Sequence, residues 1–76
     1  MNTNLDPILI FATNIKTELD KQKLAEILNL NSEIQLWHND LEDIDSVLRI
    51  ESETLTAQQI ISLIEQHDFE CTELPE

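Results

Sequence analysis

There is no glycine in this chain and no tyrosine, a single cysteine, and only four lysines and arginines against sixteen aspartates and glutamates. Each scarcity excludes something. Without glycine there is no glycine-rich loop to bring backbone amides up against a phosphate, so nucleotide sites of that kind are ruled out. The lone Cys71 has no partner within the chain, and a free thiol fits a reducing compartment better than a secreted disulfide scaffold. So few cations cannot neutralise a run of phosphates, which argues against nucleic acid and against anionic membrane surfaces. The first residues lack a basic segment followed by an apolar one, so no signal peptide is expected. The longest apolar run, Ile8 to Ala12, is far shorter than the roughly 20 residues of a membrane span. A cytoplasmic location is the expectation.

Catalytic groups are also scarce. No Ser-His-Asp set has supporting context, and the many carboxylates fall at positions read as solvent-facing, where nothing tunes them for acid–base work. With 76 residues the chain can build one core, burying about 60% of its unfolded surface. A ligand pocket of several hundred cubic ångströms is not expected from so small a core. The chain is therefore read as a non-enzyme with no cofactor.

What is present is a regular alternation of elements. Residues 1–7 are polar, end in Pro7 and read as a flexible tail; residues 8–74 read as one domain, and 75–76 as its end. Ile8 to Asn14, branched and aromatic, reads as a strand. Thr17 is placed to cap a helix, with Glu18 and Asp20 in the first turn, where the helix dipole favours negative charge. Leu24, Ile27 and Leu28 make its apolar stripe, and Asn29 to Ser32 ends it.

Glu33 to Leu41 reads as a second strand with two competing faces, one carrying Leu36 and His38, the other Trp37 and Leu41. Trp37 inward is favoured, but a slip of one residue would invert every side chain. Residues 42–46 form a hairpin connection, and Val47 to Glu51 a third strand with Leu48 and Ile50 inward. The second helix carries the clearest signals: Thr56 and Gln59 form a T-x-x-Q capping box, and Leu55 and Ile60 stand at the positions of a hydrophobic staple. His67 falls in its expected last turn, and Asp68 at the position where a left-handed residue ends a helix. Phe69 to Leu74 reads as the last strand. The order β-α-β-β-α-β predicts the α+β, ferredoxin-like arrangement, a four-stranded antiparallel sheet with two helices on one face.

Residues 11–20, Phe-Ala-Thr-Asn-Ile-Lys-Thr-Glu-Leu-Asp, resemble the heavy-metal-associated domain family at the end of its first strand, its M-T-C-x-x-C loop and the start of its first helix. Residues 60–71 resemble that family's second helix, its G-[YF] turn and its last strand, so the resemblance covers nearly all of residues 8–74. It implies the ferredoxin-like fold and a copper-chaperone-like ancestry. Ile15 falls where the family has methionine, Thr17 and Asp20 where it has its two cysteines, and Asp68-Phe69 where Gly-Tyr or Gly-Phe is common. The family's metal chemistry depends on paired thiolates, which suit soft ions, and a hydroxyl with one carboxylate does not replace them. The expectation is a degenerate loop, with no metal held at Thr17 and Asp20.

Other constellations are weaker. Cys71 reads as a small core residue. His67 and Cys71 make only two ligands where zinc sites need three or four, and the same count demotes His38. Asp40, Glu42, Asp43 and Asp45 fail the calcium-loop pattern: Asp40, Glu42 and Glu51 fill its first, third and twelfth positions, but Ile44 sits at the fifth and no glycine at the sixth. Two protein-binding expectations remain. The resemblance implies that Lys16, Lys21 and Lys23 form a docking strip for a protein partner. Alternatively, the acids at 40, 42, 43 and 45, with Glu51 and Glu53, mimic phosphate charge, and the chain is an immunity or inhibitor protein for a basic partner. The net charge of -12 steers basic partners. A monomer or weak homodimer is expected.

Overall fold

In the computed structural model residues 8–75 are described, and the expected tail at residues 1–7 lies outside them. The elements are β1 (Ile8–Thr13), α1 (Glu18–Asn29), β2 (Leu36–Asn39), β3 (Leu48–Glu51), α2 (Ala57–Glu65) and β4 (Cys71–Glu73). The strands form one sheet in the order β2-β3-β1-β4, every neighbouring pair antiparallel. Phe11, Leu48 and Ile50 on one face of the sheet share a core with Leu24, Leu28, Ile60 and Ile64 of the helices. This is the expected ferredoxin-like arrangement.

The register of β2 is settled by the pairs Trp37↔Ile50 and Asn39↔Leu48. Cα partners in an antiparallel ladder share a face, so Trp37 and Asn39 point inward and Leu36 is left 60% exposed. The indole also finds a partner on that side: Trp37 Nε1 donates to Asn29 Oδ1 at 2.9 Å. All four strands are shorter than their sequence patterns, the first and third by one residue and the second and last by more. The second loses both apolar ends, because Ile34 and Leu41 pack against the core from turns rather than from a ladder. The last pairs only over Cys71–Glu73, with Leu74 N adding one bond to Ile10 O.

Both helices start where their caps predict. Thr17 accepts from Asp20 N, and Thr56 forms the reciprocal capping box with Gln59. The box has Gln59 N donating to Thr56 Oγ1 at 3.2 Å and Thr56 N to Gln59 Oε1 at 2.8 Å. The end of α2 corrects one expectation: the helix stops at Glu65 with Gln66 as C-cap, so His67 lies beyond it and not in its last turn. Its backbone N–H donates to Ile64 O, and Asp68, at φ 70°, turns the chain into β4.

β1 and β2 both run antiparallel to β3, so α1, which joins them, runs opposite to α2. The β1–α1, β2–β3 and α2–β4 connections therefore meet at one end of the molecule. Thr56→Ala is expected to cost about 1 kcal/mol by loss of the cap. Asp68→Gly is expected to gain up to about 1 kcal/mol by removing the left-handed penalty. Urea midpoints check both, and a lower midpoint for Asp68→Gly would show that this turn is not strained.

Candidate functional site

The end where the three connections meet carries every residue of the metal-loop resemblance and the whole acidic segment. It is held by hydrogen bonds across long sequence separations. Thr13 N donates to Asp45 O at 2.9 Å, and Thr13 Oγ1 donates to Ser46 O at 2.8 Å while accepting from Ile15 N at 3.3 Å. Asn39 Nδ2 donates to Ser46 O, Ser46 Oγ and Val47 O, at 3.2 to 3.3 Å. Thr13, Asn39 and Ser46 are all buried. Ser46 holds φ 44°, the left-handed region, a conformation that costs about 1 kcal/mol or more without glycine. Thr13 and Asn39 hold it there, with its own N–H donating to Asp43 O at 2.9 Å. Asn39 Oδ1 has no partner among the described residues, an uncommon state for a buried acceptor. The third connection is tied in by Asn14, whose Oδ1 accepts from Glu70 N at 2.9 Å.

Over this base sits the loop aligned with M-T-C-x-x-C. Ile15 is fully buried in the core. Thr17 Oγ1 accepts from Asp20 N at 3.0 Å, and Asp20 Oδ2 accepts from Lys16 N at 3.3 Å. Thr17 thus satisfies one orphan amide of the first turn of α1, that of Asp20, and Asp20 satisfies the amide of Lys16 just ahead of the cap. Lys16 Nζ reaches across to donate to Ile44 O at 3.3 Å, joining the loop to the acidic segment. Among the described residues no group of three or more His, Cys, Asp and Glu side chains is placed to hold a metal ion. The donor set at the loop is a hydroxyl and a carboxylate already engaged with backbone, which does not fit a soft ion.

The three lysines are not brought together. Lys16 is bonded to Ile44 O. Lys21 and Lys23 are two positions apart on α1, which puts them about 200° apart around its axis, and only Lys23 borders the space between the helices. Asp40, Glu42, Asp43 and Asp45 are all exposed on one loop. Asp40 Oδ1 accepts from Glu42 N at 3.0 Å and Asp43 Oδ1 from Asp45 N at 2.7 Å. Ile44, at the centre of these acids, is 87% exposed.

Cys71 is buried at the start of β4, opposite Thr13. Burial, reinforced by the negative charge of Glu65, pushes its thiol up to about 12 from 9.0. It is a protonated, core-facing sulfur. One expectation about cavities needs correcting: an open cleft of about 650 Å³ lies between the helices, lined in part by Ile27, Leu30, Leu63 and Phe69. It lies open at the surface between two helices that touch sparsely, so the small size of the core did not preclude it.

No protein-family model matches the chain, and no curated protein matches it. Among solved structures it is similar to the copper(I)-loaded form of the first domain of the human copper chaperone for SOD1, CCS. The TM-score is 0.78 over 92% of this chain and 94% of that one, at 18% identity. The fold is thus the copper-chaperone-like one that the resemblance implied, and likeness at this identity speaks for fold alone.

Two outcomes follow from this geometry. Thr13→Val keeps the shape but leaves Ile15 N–H without its acceptor and Ser46 O with Asn39 Nδ2 alone, at an expected cost of about 1–3 kcal/mol, read from a denaturation midpoint. For Cys71, the folded chain keeps a proton that the unfolded chain releases above pH 9.0. Its contribution is intact below that pH and falls as pH rises towards about 12. Wild type should therefore lose stability faster than Cys71→Val on going alkaline, and parallel curves would refute the burial argument.

Proposed function

We propose that this chain is a non-catalytic protein-binding module on the copper-chaperone-like scaffold, in which the loop that would hold a soft metal serves as a helix start. One observation carries the reading. Thr17 and Asp20, at the positions aligned with the family's cysteines, are both spent on the amides of Asp20 and Lys16. Cys71 cannot substitute for them, because its sulfur is buried on β4 and held protonated. The module acts in the cytoplasm and presents an acidic surface to a protein partner. Its partner-binding candidates remain Lys16, Lys21 and Lys23 around α1, and Asp40, Glu42, Asp43 and Asp45 on the β2–β3 loop.

A second reading is favoured by Ile44. An exposed apolar side chain ringed by four acids is the arrangement expected of a loop that docks on a basic protein, with the apolar residue as anchor and the carboxylates steering encounter. The chain would then be an immunity or inhibitor protein. The two readings differ in which surface is used. Ile44→Ser leaves partner capture unchanged under the first and weakens it under the second.

Competition against a chelating dye should show no transfer of Cu(I) or Zn(II) to the protein. The double variant Thr17→Cys, Asp20→Cys should gain Cu(I) binding, because the scaffold already places both positions on one turn. Stoichiometric uptake by the unmodified chain would overturn the proposal, and failure of the double variant would overturn the alignment of the loop. Repulsion among the acids is screened over about 8–10 Å at physiological salt, so the melting temperature should rise with NaCl. Replacing Asp40, Glu42, Asp43 and Asp45 by their amides, which keep the Oδ1 acceptors, should raise it further and flatten its salt dependence. A melting temperature that drops steadily with salt would contradict the repulsion.

A further inference from the structure

The helix layer is not closed on the side away from the sheet. α1 and α2 run antiparallel yet touch sparsely, and the cleft of about 650 Å³ between them is lined by Ile27, Leu30, Leu63 and Phe69. Leu30 is 87% exposed. A second depression of about 330 Å³ shares Asn31 and Leu63 with the first and continues along α2 past Leu55, Gln59 and Ser62. Together they make a trough along the helices, with its apolar floor at Ile27, Leu30, Leu63 and Phe69 and a largely polar extension past Gln58, Gln59 and Ser62. It uses the C-terminal half of α1, away from the loop at Lys16 to Asp20.

The shape and the charge of the trough select an occupant. A trough along two helices accepts a third helix, whose apolar residues at i, i+3, i+4 and i+7 descend into it. The acids that border it, Glu26 and Glu33, outnumber the one lysine, Lys23, and the chain around it carries a net charge of -12. A second copy of the same chain brings the same charge and is repelled. We infer that the trough docks one amphipathic helix of a basic protein. The helix lies with its apolar face on Ile27, Leu30, Leu63 and Phe69 and its lysines or arginines beside Glu26 and Glu33. This rests on the protein-binding reading above and names the surface and the chemistry of the partner.

The probe is a synthetic peptide of about 14 residues, roughly 21 Å as a helix, with leucines at i, i+3, i+4 and i+7 and lysines on the opposite face. It is titrated into the isotope-labelled full chain and followed by amide shifts. The largest shifts are expected at Ile27, Leu30, Leu63 and Phe69. Binding should weaken at least about tenfold in Leu30→Lys, and likewise when glutamates replace the peptide's lysines. Leu30 is too exposed for its replacement to unfold the chain, and an unchanged melting temperature verifies that. Shifts centred on residues 40–45 or on the open face of the sheet would overturn the inference. So would equal binding of the lysine and glutamate peptides, or concentration-dependent shifts at the trough without peptide, which would mean a second copy. A partner captured from native lysate equally by wild type and Leu30→Lys would overturn the trough and leave the protein-binding reading standing. Peptide binding at the trough with no partner captured would do the reverse.

Discussion

The carbonyl oxygen of Ser46 accepts from Thr13 Oγ1 and from Asn39 Nδ2, and the arrangement of the whole loop end depends on that shared acceptor. It ties the end of β1 to both strands of the hairpin. It holds Ser46 in a left-handed conformation that a glycine-free chain must adopt at some cost. Thr13, by also accepting from Ile15 N, aims Ile15 into the core and fixes where α1 can begin. Buried polar clusters of this kind are strong when satisfied and costly when one member is removed.

From that base the chemistry of the β1–α1 loop follows. With Ile15 anchored, the next residues must turn into α1, and the first amides of a helix need acceptors. Thr17 supplies one, to Asp20 N, and Asp20 accepts from Lys16 N ahead of the cap. Lys16 then crosses to Ile44 O and its ammonium joins the loop to the acidic segment. The loop end is closed by its own side chains, and its outer surface is the exposed acidic segment with Ile44 at its centre. The opposite character is found between the helices, where an apolar trough is left open. The molecule is therefore closed where the sequence resemblance pointed to a metal loop and open where the size of its core suggested none.

What the sequence disclosed divides along the same physical line. Features set by local chemistry were legible. The capping box at Thr56 and Gln59, the cap at Thr17 and the left-handed Asp68 each involve residues within one turn of one another. Features set by partners distant in sequence were not. The limits of the second strand depend on where its ladder with β3 stops, so Ile34 and Leu41 kept a strand pattern while packing from turns. The inward face of that strand, on which the sequence favours Trp37, is fixed by the pairing Trp37↔Ile50, and the indole bond to Asn29 accompanies it. In the candidate site, the roles of Thr17 and Asp20 were readable from composition and spacing. The bonds of Thr13 to Ser46 and of Lys16 to Ile44 span 33 and 28 positions and left no local signal. The trough was missed because a pattern of apolar residues shows what can be buried, not which pairs of helices diverge.

The loop end is closed by hydrogen bonds within the chain and needs no ligand to order it. Native-state amide exchange tests this directly, at Ile15, Asp20 and Ser46, whose N–H groups donate to Thr13, Thr17 and Asp43 respectively. With no metal added, these amides should be protected to a degree approaching that of the α1 interior, and adding Cu(I) should leave their rates unchanged. Fast, loop-like exchange that becomes protected only when Cu(I) is present would contradict the account.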